Sequence, residues 1–316
     1  VLVPALGGKV RDMNLGGRQW LWHNPDVPFA ARRDGASYAE FEEAGGFDEC
    51  FPTVAPCRLP RWVKGARWVK LPDHGELWAQ PPEFAIVTDQ EGHSATCSWR
   101  GSALPYRFTR RITVRPEGWV AFAYSATNTG KQRIPFLWSS HPILPLTPRT
   151  RLILPDGART RLLSQNGVDF GKPGSVHKWP RLRAGGKSLD LSRPFGALAG
   201  DYSCKLFVEL PRAEVLVAVE EGGSRLEMML HGREIPTVGV SINKRRTSGS
   251  ARRRGLWPFT RKSRQMRTTC TISIEPCLGA PERLSDALGT WDDAHWLEPG
   301  ATARWGMTWR GSTNGD

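Results

Sequence analysis

No run of about 18 apolar residues occurs anywhere in the 316-residue sequence, so no segment has the make-up of a membrane-spanning helix. No signal peptide is visible either; the chain opens at Val1 inside a strand-like run, which leaves room for a leader that has been removed. Six cysteines are present, Cys50, Cys57, Cys97, Cys204, Cys270 and Cys277, and none stands in a C-x-x-C pair. The two C-x6-C spacings match no usual zinc or redox motif, so buried free thiols in a reducing, cytoplasmic setting are expected. H-x-H and H-E-x-x-H are absent, and no metal or other cofactor is expected. The sequence also lacks G-x-S-x-G and G-x4-G-K-[ST], which argues against hydrolases with a serine elbow and against phosphate-loop enzymes. Helical periodicity is scarce, and no internal repeat is evident.

What the sequence does contain is turn formers and large aromatics: 33 Gly, 25 Pro, 14 Trp and 12 Phe. Short alternating or apolar runs recur at 84–88, 93–99, 106–114, 119–128, 206–209, 215–220, 225–230, 237–242, 269–274 and 303–309. Turn residues separate them, as in Arg115-Pro-Glu-Gly118. In Tyr106-Arg-Phe-Thr-Arg-Arg-Ile-Thr-Val114 one face is apolar and the other basic or hydroxylated, the mark of a half-buried strand. The pattern predicts an all-β protein, a large antiparallel β-sandwich. Most tryptophans would fill its core, and some would suit stacking on sugar rings.

Charge is unevenly spread. The formal net charge is +13, yet residues 244–267 hold ten Lys or Arg and no acid, leaving +3 for the rest. This Arg/Ser/Gly segment cannot bury enough surface to fold alone and is expected to be a mobile insertion. It would give only salt-sensitive, non-specific nucleic-acid binding. Residues 25–50 are polar and Gly-rich and read as a long connection.

Three segments could carry chemistry. In Pro72-Asp-His-Gly-Glu-Leu-Trp78 a His before Gly can present its ring while the backbone bends away; Asp73 and Glu76 are near enough to orient the ring or bind a polyol. In Phe136-Leu-Trp-Ser-Ser-His-Pro-Ile-Leu144, His141 sits inside an apolar run, where burial lowers and a carboxylate raises its pKa. In Thr269-Cys-Thr-Ile-Ser-Ile-Glu-Pro-Cys277, Glu275 ends an alternating strand where proline stops the ladder. Each position has a bland alternative: a polar turn, a satisfied core histidine, a solvated strand end.

Together these segments resemble the aldose 1-epimerase family of the galactose mutarotase-like superfamily. The resemblance runs from Pro4-Ala-Leu-Gly-Gly-Lys-Val10 to Trp296-Leu-Glu-Pro-Gly-Ala-Thr-Ala-Arg-Trp305, with the His-Gly turn, the mid-chain His and the Glu-Pro strand end in family order. It implies one mutarotase-like domain over 1–316, a β-supersandwich with an open cleft across one sheet. It also implies that His141 is the general acid, Glu275 the general base and His74 a substrate binder, with a monosaccharide or sugar derivative as partner; the basic segment beside the expected cleft adds an anionic sugar to the expected partners. Asp48, Glu49 and Lys205 are assigned to further sugar contacts beside Glu76. The family's Asn-His-Tyr-Phe-Asn setting of the acid is replaced by Trp138-Ser-Ser-His-Pro142, and its Leu-His-Gly-Gly by Asp73-His-Gly-Glu76. The segment Gly46-Phe-Asp-Glu-Cys-Phe-Pro52 resembles an uncharacterised branch. The competing expectation is a carbohydrate-binding protein without turnover on the same scaffold; a lyase or hydrolase of the superfamily would need a longer groove. Oligomeric state is not legible.

Overall fold

The computed structural model describes residues 1–31, 38, 45–66, 68–90, 92–245 and 269–313. Two large antiparallel sheets face each other. One has eleven strands, ordered Leu2–Val3, Lys9–Val10, Phe47–Cys50, Trp138–Pro145, Thr269–Leu278, Thr237–Arg245, Tyr202–Glu209, Arg159–Asn166, Val176–Lys178, Arg181–Ala184 and Lys187–Asp190. The other has eight: Thr150–Ile153, Glu214–Glu221, Ser224–His231, Thr302–Thr313, Val120–Asn128, Tyr106–Val114, Gly92–Arg100 and Glu83–Asp89. The described helices are single turns, Pro194–Ala197 and Leu284–Ala287 among them.

The inner faces meet in an aromatic core. Phe47 stacks on Trp309 at 5.5 Å, Tyr124 on Trp305 at 5.7 Å, and Trp138 lies 4.7 Å from Tyr124. Strand alternation explains the supply: Tyr106, Phe108 and Arg110 are buried on one face of their strand, and Arg107 points to solvent. All six cysteines are free thiols; Cys57 and Cys270 are only half-buried.

Two expectations need correction. The supposed connection over 25–50 ends in a strand, Phe47–Cys50, whose four residues are all buried and therefore do not alternate. The basic insertion begins later than 244: Lys244 and Arg245 end the Thr237–Arg245 strand. Lys244 is buried, its ammonium donating to the carbonyls of Phe195 (2.7 Å) and Leu198. Residues 246–267 of that segment lie outside the described residues. Among the described residues no helix is long and apolar enough to cross a membrane.

Candidate functional site

Directly paired residues in a sheet share a face, so the register itself assembles the site. Asp48 pairs with His141. Ser139 with Cys277 and Ile143 with Ser273 fix the next register, which places His141 opposite Glu275. Glu275 pairs with Gly239, Gly239 with Phe207, and Phe207 with Arg161. Asp48, His141, Glu275, Gly239, Phe207 and Arg161 therefore form one row across six strands, on the sheet face turned away from the other sheet.

The ladder around His141 and Glu275 is open. No pairing is formed between Ser140–Pro142 and the facing residues 274–276, where Pro142 and Pro276 have no N–H to give. His141 Nε2 stands 3.8 Å from Glu275 Oε1, beyond hydrogen-bond reach. Lys205 Nζ lies 2.5 Å from Glu275 Oε2 and 3.4 Å from Glu282. The bare Cα of Gly239 lets Lys205 cross to Glu275: a Cβ there would come within 3.4 Å of Lys205 Cε and Glu275 Oε2. Ser139 Oγ donates to Glu275 Oε2 at 3.4 Å.

His74 arrives from the turn before the second sheet begins. It holds a left-handed backbone, φ +57°, strained for a residue with a side chain, and Gly75 follows at φ +71°. A Cβ on Gly75 would lie 2.2 Å from the Phe51 carbonyl oxygen, so only glycine fits. Asp73 Oδ1 lies 2.9 Å from His74 Nδ1, and the His74 and His141 rings meet edge to face at 5.0 Å. Tyr38 stacks on His74 at 3.8 Å and donates to Asp48 Oδ2 at 3.1 Å.

Burial is the main cause that holds His141 well below the usual histidine pKa, with His74 and Lys205 adding to it and Asp48 opposing. For Lys205 burial works downward, but Glu275 and Glu282 outweigh it and raise the ammonium's pKa. Three buried polar atoms of these residues, Asp48 Oδ1, His141 Nδ1 and Glu275 Oε1, have no hydrogen-bond partner among the described residues. Such unpaired atoms cost about 1–3 kcal/mol each and are rare in folded proteins.

The structure thus brings together His74, His141, Glu275, Asp48 and Lys205. It does not bring Glu49 or Glu76. Glu49, next to Asp48 in an extended strand, points the opposite way into the core, where it pairs with Arg110 at 3.2 Å and accepts from Trp138 Nε1 and Tyr124 OH. Glu76 Oε1 accepts the backbone N–H groups of Ser102 and Ala103 and its Oε2 accepts from Tyr106 OH, which uses it to fasten a loop. Sequence reasoning missed Lys9, which is buried and paired with Asp48 and the Gly45 carbonyl, and also Tyr38, Ser139 and Glu282. Lys9 follows Gly7-Gly8 in the sequence, but its partner lies 39 residues on, beyond any local pattern.

Searches of family models and of curated proteins give no match. Solved structures do match. Slr1438 from Synechocystis sp. PCC 6803 superposes with a TM-score of 0.66 at 16% identity, over 99% of this chain and 91% of that one. A putative aldose 1-epimerase from Klebsiella pneumoniae gives 0.64 at 13%, over 99% and 76%. A galactose mutarotase related enzyme from Lactobacillus acidophilus gives 0.60 at 16%, over 99% and 94%. The fold is the galactose mutarotase-like sandwich. In this chain the mutarotase-like sheet carries its row of charged and imidazole groups beside a further hollow of about 360 Å³, bordered by Arg161, Phe207 and Trp291.

Proposed function

We propose that the chain is an aldose 1-epimerase-like isomerase, one domain that interconverts the anomers of a sugar by acid–base ring opening. The observation that carries this is the register that sets His141 and Glu275 face to face, with His141 Nε2 and Glu275 Oε1 3.8 Å apart and with Asp48 Oδ1, His141 Nδ1 and Glu275 Oε1 left without hydrogen-bond partners among the described residues. A sugar hydroxyl can both donate to a carboxylate and accept from an imidazole, which is the pair of partners that Glu275 and His141 lack. The acid and base roles come from the family resemblance, and the register that sets the two groups face to face supports them.

In the reaction Glu275 takes the proton of the C1 hydroxyl while His141 gives one to the ring oxygen. The C1–O bond to the ring breaks, and an open-chain aldehyde forms. Rotation about C1–C2 presents the other carbonyl face, and reclosure returns both protons. Lys205 and Ser139 hold the Glu275 carboxylate, and Asp73 and Tyr38 hold His74, which would bind a sugar hydroxyl. Lys9 holds Asp48. No external oxidant or reductant enters the balance.

Polarimetry or exchange NMR on a panel of aldoses tests the proposal. Glu275→Gln is expected to slow at least one aldose by about 10²–10⁴-fold, the usual contribution of a positioned acid or base. If no aldose equilibrates faster with the native chain than with the variant, the isomerase assignment fails. One observation favours the alternative of sugar binding without turnover: the lowered pKa of His141 keeps it largely neutral, and a neutral imidazole is a weak acid. Calorimetry on the same panel would then give sugar binding that persists in Glu275→Gln with no rate to lose.

A further inference from the structure

A second pocket lies away from the row of catalytic candidates. Trp62 and Trp296 line it with Lys64, Lys131, Arg133 and Glu298, and it encloses about 360 Å³. Trp62 is 57% exposed. Leaving an indole in water forfeits much of the stabilisation that its large apolar area would give on burial. The exposure is not a matter of a loose loop. Val63 beside it is 1% exposed in the core, its N–H donates to the Pro60 carbonyl at 3.1 Å, and Ala66 closes back onto the Val63 carbonyl at 3.3 Å. The turn is anchored by one residue and presents its neighbour outward. Gly65, at φ +73°, brings the turn against the 131–133 segment; a Cβ there would stand 3.0 Å from Gln132 Cγ.

Backbone strain marks the same loop. Trp68 has φ +69°, an outlier for a bulky residue, and is itself 47% exposed with the Arg61 guanidinium 4.3 Å over its ring. Strain of this kind persists where the surroundings enforce it and gathers at ligand clamps.

The two indoles of the pocket set its shape. Their centroids are 6.2 Å apart and the planes are tilted by 36°. A flat base clamped between two rings needs about 7 Å, twice the contact distance of about 3.5 Å between carbon atoms. The pair is instead a bent apolar floor, suited to the puckered C–H face of a pyranose. Arg133 lies over Trp296 at 4.3 Å, which leaves Trp62 as the open platform. Lys64, Lys131 and Arg133 are exposed and form no ion pair among the described residues, against one acid, Glu298, in the lining.

We propose that this pocket binds an acidic saccharide, with one pyranose ring on Trp62 and its carboxylate on Lys64 and Lys131. The assignment stands on the pocket and does not need the isomerase reading. Calorimetric titration with tetragalacturonate tests it, beside cellotetraose as the neutral ring and oligo(dT) as the nucleic-acid alternative. Tetragalacturonate is expected to bind at least about tenfold tighter than cellotetraose, and Trp62→Ala or the pair Lys64→Ala/Lys131→Ala to weaken it by about tenfold or more. Glu275→Gln is expected to bind it as the native chain does. Thermal unfolding checks that the variants fold, and Trp62→Phe, which keeps an aromatic floor, is expected to retain most of the affinity. The proposal is overturned if tetragalacturonate gives no heat at millimolar concentration, or if the neutral tetramer binds equally well. It also falls if binding is lost in Glu275→Gln but kept in Trp62→Ala, or if oligo(dT) binds more tightly through the same residues.

Discussion

His141 sits between opposing influences. Its acid form exists only below its pKa, and burial, helped by His74 and Lys205, sets that pKa below the ordinary value of 6.5. If His141 is the acid, kcat/KM must fall as pH rises through the free-site pKa, so the basic limb of the profile is expected below 6.5. Asp48 is the neighbour that raises this pKa and Lys9 one that lowers it. Asp48→Asn removes the first and leaves the second, so the limb should move further down; a limb above 6.5, or an upward shift in the variant, contradicts the assignment. The residue scale also holds the sharpest misreading. Asp48 and Glu49 look equivalent as neighbouring acids in a Gly-rich stretch. Once Phe47–Cys50 is a strand, period two allows only one of them to face the site.

At the scale of the strand, the reverse side of the site becomes important. Glu49 carries the Arg110 guanidinium from the other sheet, and both are nearly inaccessible. Removing one member of such a pair leaves an uncompensated buried charge. Glu49→Gln is therefore expected to lower stability by about 3–5 kcal/mol in urea unfolding near pH 8. Burial pushes the Glu49 carboxyl up to about 7 from 4.5, against Arg110 and its hydrogen bonds. Between those values the folded chain keeps a proton that the unfolded chain has released, so this group's contribution weakens as pH rises. The variant should lose that part of the slope. Strands with an apolar face, such as Tyr106–Val114, were legible because alternation encodes a half-buried sheet. Arg159–Asn166, Val176–Lys178 and Lys187–Asp190 were not, since they are short or polar and carry no clear apolar alternation.

For the whole molecule, the sandwich was foreseeable from turn spacing and scarce helix, whereas the row from Asp48 to Arg161 was not. It depends on pairing between strands far apart in the chain, up to the 140 residues from Trp138 to Leu278, which no window of sequence contains. Charge belongs to this scale as well. Deleting 246–267 removes eight Lys or Arg and no acid, lowering the formal charge from +13 to +5. Non-specific binding to duplex DNA should weaken, and its dependence on log salt should flatten, by about 0.9 for each phosphate that is no longer neutralised. A slope unchanged by the deletion would mean that the folded body, Trp62 pocket included, carries the attraction.

The two-sidedness of the eleven-stranded sheet has a consequence for how such a chain can change over generations. On these strands the residues of the row from Asp48 to Arg161 alternate with residues packed into the core, as Asp48 does with Phe47 and Glu49. Drift on the outer set can change the chemistry of the row while the inner set keeps the sheets together. One architecture recurring in solved structures at 11–16% identity is compatible with such a division of the sheet.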